Sequence, residues 1–262
     1  MNTPEPSRDG QAGVTESPRR PAGARPARRG RPPQTRAQAE QVRARIVDAT
    51  GEVFTRAGSR GLSVARIIDQ AGISRPTFYR YFANATEPLH VLLEVSNAEL
   101  VGGIAAALEA TGEGVELGIR LIDAYLDWAR GHGAMLRPLF AELHDPASPV
   151  SAYRNAALDG IRDNVRAEFT QLGRSVPAPL DLDAALHVCE YVVYRISAAS
   201  EPGGEPDPAT VAQARLTMIR VVLATLGNTA DFRYAMGLPG LFPAAPEDVG
   251  GAAATGQESR SA

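Results

Sequence analysis

Lysine is missing altogether from this 262-residue chain, and each of its 27 basic residues is an arginine. Cysteine is nearly missing, and Cys189 alone cannot close an internal disulfide. Nor can it build the thiolate cluster of an ordinary zinc site. A reducing compartment suits such a chain, so a cytoplasmic protein is expected. No apolar run reads as long enough to span a bilayer. The N-terminal arginines have no apolar segment behind them, so neither a signal peptide nor a membrane partner is expected. Enzyme signatures are missing as well: no Gly-x-Gly-x-x-Gly after a strand, no phosphate-binding loop and no His-Glu-x-x-His. His90, His132, His144 and His187 are scattered. His144 and Asp145 have no evident nucleophile, and Glu142 and His144, two residues apart, point to different faces of a helix. No catalysis, metal or cofactor is expected.

What is present is unevenly distributed. The overall charge of −3 hides a basic first third. Residues 1–90 carry 15 Arg against 8 acidic residues, while residues 91–262 carry 12 Arg against 22. That segregation fits a nucleic-acid-binding first part and an acidic remainder. Residues 1–36 are rich in Pro, Gly and Arg with almost no large apolar side chain, so they are read as a disordered arm. Its run Arg29-Gly30-Arg31-Pro32-Pro33 resembles the core of an AT-hook, whose arginines enter a narrow minor groove with enhanced negative potential. The alternative is a solvated basic tail attracted to phosphates without specificity.

The most informative stretch is residues 63–82, SVARIIDQAGISRPTFYRYF. Ser63 is a good N-cap, and Val64, Ile67, Ile68 and Ala71 recur at helical spacing. Gly72 supplies the left-handed conformation that ends a helix. Ile73 plugs the turn, Ser74 caps a second helix, and Pro76 is tolerated in its first turn. Phe78 and Phe82, four apart, face the core, leaving Arg75, Thr77, Tyr79, Arg80 and Tyr81 for the outer surface. A short second helix bearing Arg, Thr and Tyr near its N-terminus fits the major groove of DNA. An amphipathic helix precedes it over about 37–57, with Val42, Ile46, Ala49, Val53 and Phe54 in its buried stripe. Arg43 and Arg45 lie near its start, within reach of a sugar–phosphate backbone.

In this order Gly72, Ser74, Thr77, Tyr79 and Phe82 match the Gly-x-Ser-x-x-Thr-x-Tyr-x-x-Phe pattern of the TetR family of bacterial repressors, which the chain resembles over about residues 40–90. The resemblance implies an all-α protein: a three-helix DNA-binding domain followed by a helical bundle that binds a ligand and dimerises. It also implies a pseudo-palindromic operator and a small-molecule effector. Arg75 is the favoured base reader, because guanidinium matches guanine O6 and N7. Thr77, Tyr79, Tyr81 and the backbone N–H of Ser63 are favoured for phosphates, with Ser74 beside them and Arg80 suited to either role. Two positions depart from the family's pattern. Arg66 stands where an acidic residue is usual, which removes a capping-box partner and offers another phosphate contact. Ala85 stands where a phosphate-clamping lysine is usual.

Apolar periodicity beyond residue 86 predicts helices over about 87–110, 114–131, 134–143, 149–172, 182–199 and 209–226. The expected organisation is therefore an arm (1–36), a helix-turn-helix domain (37–86), a regulatory bundle (87–242) and a disordered tail (243–262). Tyr125, Trp128, Phe140, Tyr153, His187 and Tyr191, apolar bodies with polar tips, are the candidate ligand contacts. The last two long helices, eighth and ninth in chain order, carry Val192, Val193, Ile196, Leu216, Ile219, Val222, Leu223 and Leu226, read as the seam of a homodimer. The functional expectation is a dimeric repressor released from DNA by a small molecule. The alternatives are an activator, a ligand-independent regulator, or a small-molecule-binding bundle with a vestigial DNA domain.

Overall fold

The computed structural model describes residues 35–110, 112, 114–199, 204 and 206–242. The arm with Arg29 and Arg31, and the tail from residue 243, lie outside the described residues. Those described form ten α-helices and no strand: α1 (Arg36–Ala57), α2 (Val64–Ala71), α3 (Arg75–Tyr79), α4 (Thr86–Glu109), α5 (Val115–His132), α6 (Leu136–Glu142), α7 (Pro149–Gln171), α8 (Pro179–Ala199), α9 (Pro208–Leu226) and α10 (Thr229–Ala235). Local chemistry sets most of the boundaries. Thr35 and Gln38 close a capping box at the start of α1. Gly72 sits at φ +61°, ψ +40°, the left-handed conformation that stops α2. Ser148 caps α7 and Asp207 caps α9, each with proline in the first turn.

The first three helices close over a small core of their own, made by Ile46, Ala49, Ile67, Ala71, Phe78 and Phe82. Phe54, at the end of α1, belongs instead to the main core with Leu89 and Leu93 of α4, Leu139 and Phe140 of α6, and Met218 of α9. The DNA-reading unit is thus anchored in the bundle through the last turns of α1. A second buried cluster, including Leu100, Ile104, Ile161, Val165 and Leu182, fills the far end of the bundle. The expectation that no segment is apolar enough to cross a membrane fails by composition, because α4 and α9 both pass on length and hydropathy. In the fold these helices contribute Leu89, Leu93 and Leu100, and Met218, Ile219 and Leu223, to the interior.

Candidate nucleic-acid interface and bundle cavity

The turn between α2 and α3 follows from its caps. The Ser63 hydroxyl accepts from the Arg66 N–H at 3.3 Å, and the Ser74 hydroxyl accepts from the Thr77 N–H at 3.4 Å. Ser74 and Thr77 also share a hydroxyl–hydroxyl bond of 2.8 Å, which orients both side chains at the start of α3. Phe78 is fully buried, and Tyr79 meets its ring edge-on at 5.6 Å while remaining 49% exposed. Tyr81 departs from the expected outer placement. It lies three residues after Phe78, on the same face, so it is half-buried and its ring packs on the three-helix core.

The arginines of this unit fall into two groups. Arg56 donates to Gln70 and lies 3.7 Å from Glu52, Arg60 pairs with Asp145 at 2.8 Å, and Arg66 donates to the Gly61 carbonyl at 2.7 Å. Arg66 is therefore committed to the turn before α2 and not free for a phosphate. In contrast, the guanidinium groups of Arg45, Arg75 and Arg80 have no protein partner among the described residues, and all three are exposed. Arg43 is exposed too, its guanidinium lying over the Phe82 ring at 5.3 Å from the centroid. Four arginines without a counter-charge on α1 and α3 make a positive surface beside a helix short enough to enter a groove. At Ala85 the missing lysine is offset structurally: Asn84 Oδ1 accepts from the N–H groups of Thr86 and Glu87, and Glu87 accepts from Ala83 at 2.7 Å. Among the described residues, no cation is bonded to this turn.

Glu142, which the sequence offers as half of a metal pair with His144, has a different role. Its carboxylate accepts from the Ser59 N–H at 2.8 Å and from the Ser148 hydroxyl at 2.5 Å. It thereby joins the turn after α1 to the end of α6. A Cβ at Gly58, whose φ is +65°, would come within 2.5 Å of the same carboxylate, so the approach requires glycine. No cluster of metal-ligating side chains occurs among the described residues.

Inside the bundle, α4, α5, α7 and α8 surround a cavity of about 120 Å³, room for about four water molecules at roughly 30 Å³ each. Its wall is apolar except at a few points. Tyr125 stacks on Trp128 with ring centroids 5.6 Å apart and planes 12° from parallel. The Trp128 indole N–H donates to the Ser96 carbonyl at 3.1 Å. Tyr153 joins His90 through its hydroxyl at 2.9 Å and donates to Glu94 at 3.3 Å. Burial pushes the Tyr153 phenol up in pKa, with Glu94 adding to the effect. Tyr125 is pushed up further, first by burial and then by the nearby Glu190 carboxylate. Cys189 also lines the cavity, and burial pushes its thiol up to about 12, so it remains an unreactive thiol. Tyr125, Trp128, Phe140 and Tyr153 line this space, but His187 and Tyr191 do not. Both are exposed on the opposite face of α8, which turns Leu186, Cys189 and Glu190 inward. The polar wall residues Arg154 and Glu190 were not foreseen. They are 36 positions apart, and nothing in the sequence pairs them.

Known proteins share this arrangement. Residues 46–87, from the middle of α1 into α4, match the family model of "Bacterial regulatory proteins, tetR family". The HTH-type transcriptional activator FasR of Mycolicibacterium smegmatis is 26% identical over 147 residues, which cover 56% of this chain and 64% of that protein. The DNA-reading unit is thus similar to that of the tetR family over the matched residues. The TetR fold extends through the bundle. The fatty acid degradation regulator FadR from Bacillus halodurans superposes with a TM-score of 0.53 at 17% identity, covering 68% of this chain and 94% of that one. FadR from Bacillus subtilis, solved in complex with stearoyl-CoA, superposes with a TM-score of 0.54 at 19% identity, covering 71% and 98%. The segment matched to the TetR model contains the whole Gly72–Phe82 pattern and two of the four unpaired arginines, Arg75 and Arg80, while Arg43 and Arg45 precede it. 

Proposed function

We propose that this chain is a homodimeric, sequence-specific DNA-binding regulator whose affinity for a pseudo-palindromic operator is set by a small molecule in the bundle cavity, acting as a repressor that the molecule releases. The observation that carries the DNA-binding half is the set of unpaired guanidiniums at Arg43, Arg45, Arg75 and Arg80, in a unit whose other described arginines are committed to protein partners from Arg56 onward. Arg75, at the first position of α3, is the base reader; Arg43, Arg45, Ser63, Ser74, Thr77 and Tyr79 contribute contacts to the DNA backbone, and Arg80 suits either role. Arg29 and Arg31 extend the contact from the arm. Arg75→Ala is expected to remove about 1–3 kcal/mol of discrimination at one base pair while non-specific binding falls much less. Affinity measured on operator and scrambled duplexes checks this, and equal losses on both would make Arg75 a phosphate contact.

The effector half rests on the apolar cavity with its stacked Tyr125 and Trp128. An acyl compound is the effector class that this shape favours, in keeping with the stearoyl-CoA of the Bacillus subtilis relative. The activator named among the relatives supports a second reading, in which the same bound regulator raises transcription.

Dimerisation is assigned to α8 and α9, although most of the residues expected from sequence turn inward. Val193, Ile196, Ile219 and Leu223 are buried within the protomer, and Val222 and Leu226 line the cavity, because α8 and α9 pack on each other and on the rest of the bundle. The outward face of α8 instead carries Leu180, Ala184, His187, Tyr191 and Tyr194 at helical spacing, with Tyr191 60% exposed. A two-fold axis beside this stripe buries it against its copy and sets two α3 helices for half-sites about 34–36 Å apart. Tyr191→Glu is expected to leave helicity unchanged and to weaken the dimer by about 2 kcal/mol or more per tyrosine, counted twice by the symmetry. Sedimentation and operator binding measured together check this. A variant that stays dimeric at micromolar concentration moves the seam elsewhere.

A further inference from the structure

The cavity wall holds one pair of charged side chains, Arg154 of α7 and Glu190 of α8, and they are only 11% and 13% exposed. Glu190 grips the guanidinium as a fork, accepting from Nε at 2.7 Å and from Nη2 at 2.6 Å. Asn155 accepts from Nη1 at 3.3 Å. Three of the five guanidinium N–H groups are thereby used, and two have no protein partner among the described residues. Close by is Tyr125, whose hydroxyl makes no hydrogen bond among the described residues and on whose phenol both charges act. The site therefore offers spare donors with no net charge behind them.

We propose that the Arg154–Glu190 pair makes the cavity select an effector with an apolar chain and an uncharged carbonyl, as in an amide, ester or thioester, and reject the corresponding free carboxylate. The inference deepens the effector reading above and rests on it. A carbonyl oxygen accepts from the spare guanidinium N–H groups, and from the Tyr125 hydroxyl, without disturbing the fork. A carboxylate at the same place sets a second negative charge beside Glu190 where little water screens either one, and like charges in such a site oppose each other's ionisation. Glu190 is thus a specificity-determining residue that acts through the arginine it neutralises. The Tyr125 phenol stays protonated in this environment and remains a donor.

Decanamide and decanoate, nearly isosteric and differing in charge at pH 8, test the proposal on the full chain without DNA. Trp128, the only tryptophan, stacks on Tyr125 and reports binding through its emission. The wild-type chain is expected to bind decanamide about tenfold or more tighter than decanoate. Glu190→Gln leaves the Arg154 charge uncompensated, and the preference should reverse. A preference for decanamide that is the same in wild type and Glu190→Gln would mean that burial alone excludes the anion, and overturns the proposal. Should Glu190→Gln fail to fold, Arg154→Met/Glu190→Met removes both charges together. Its affinity for decanamide should fall, and an unchanged affinity overturns the proposal, as does a wild-type chain that binds neither compound. A chain that follows the expected pattern but keeps its grip on the operator sinks the effector-release reading and leaves the selectivity intact.

Discussion

Phe78→Ala is expected to unfold the DNA-reading unit while the bundle stays folded. Phe78 is fully buried among Ile46, Ala49, Ile67, Ala71 and Phe82, a core with few members and no large substitute for an aromatic ring. Truncating a buried phenylalanine costs about 3–5 kcal/mol, because the lost transfer energy is joined by the energy of the cavity left behind. A three-helix unit of this size has a total stability of only about 5 kcal/mol or less, so the loss is comparable with the whole. The bundle does not depend on Phe78: its main core meets α1 through Phe54, and its interior is otherwise drawn from α4 onward. Trp128, the only tryptophan, sits in α5 and reports the bundle alone. The urea transition followed by Trp128 emission should therefore stay in place, while circular dichroism shows lost helicity before that transition and operator binding disappears. A Trp128 transition that moved together with the lost helicity would show that the two units unfold as one.

Arg154→Met is expected to destabilise the bundle by about 3–5 kcal/mol, and Arg154→Met/Glu190→Met by much less. The reason is an asymmetry. The wild-type pair exchanges hydration for two short charge-assisted hydrogen bonds of 2.7 and 2.6 Å, and the net gain over apolar packing is small. Removing the arginine alone strands a carboxylate that is only 13% exposed. Removing both replaces the pair with flexible apolar side chains that fit a wall already formed by Leu158, Leu186 and Cys189. Urea midpoints read by Trp128 emission across the single and double variants measure the coupling. If the double variant is destabilised by the sum of the two singles, the charges act independently and the fork contributes no pair energy.

Much of the DNA-reading unit was legible in the chain because its determinants are local. Ser63, Gly72 and Ser74 act on backbone groups within three or four residues, and Phe78 and Phe82 share a face by helical periodicity alone. Tyr81 lies three residues after Phe78 and so shares that face as well, which draws its ring onto the same core. In the bundle the helices were legible and their partners were not. Helix α8 is apolar on more than one side, so its sequence does not say which side meets the cavity: Cys189 and Glu190 turn inward, while His187 and Tyr191 face out. The bonds that matter most there join residues far apart in the chain, Arg154 with Glu190 and Ser59 with Glu142. By itself the sequence determined the caps, the helical periods and the helix-turn-helix, since these depend on neighbours along the chain. Only the tertiary structure decided which arginines stay unpaired, which face of α8 is left uncovered and which charges share the cavity, because each depends on what another helix brings to the same place.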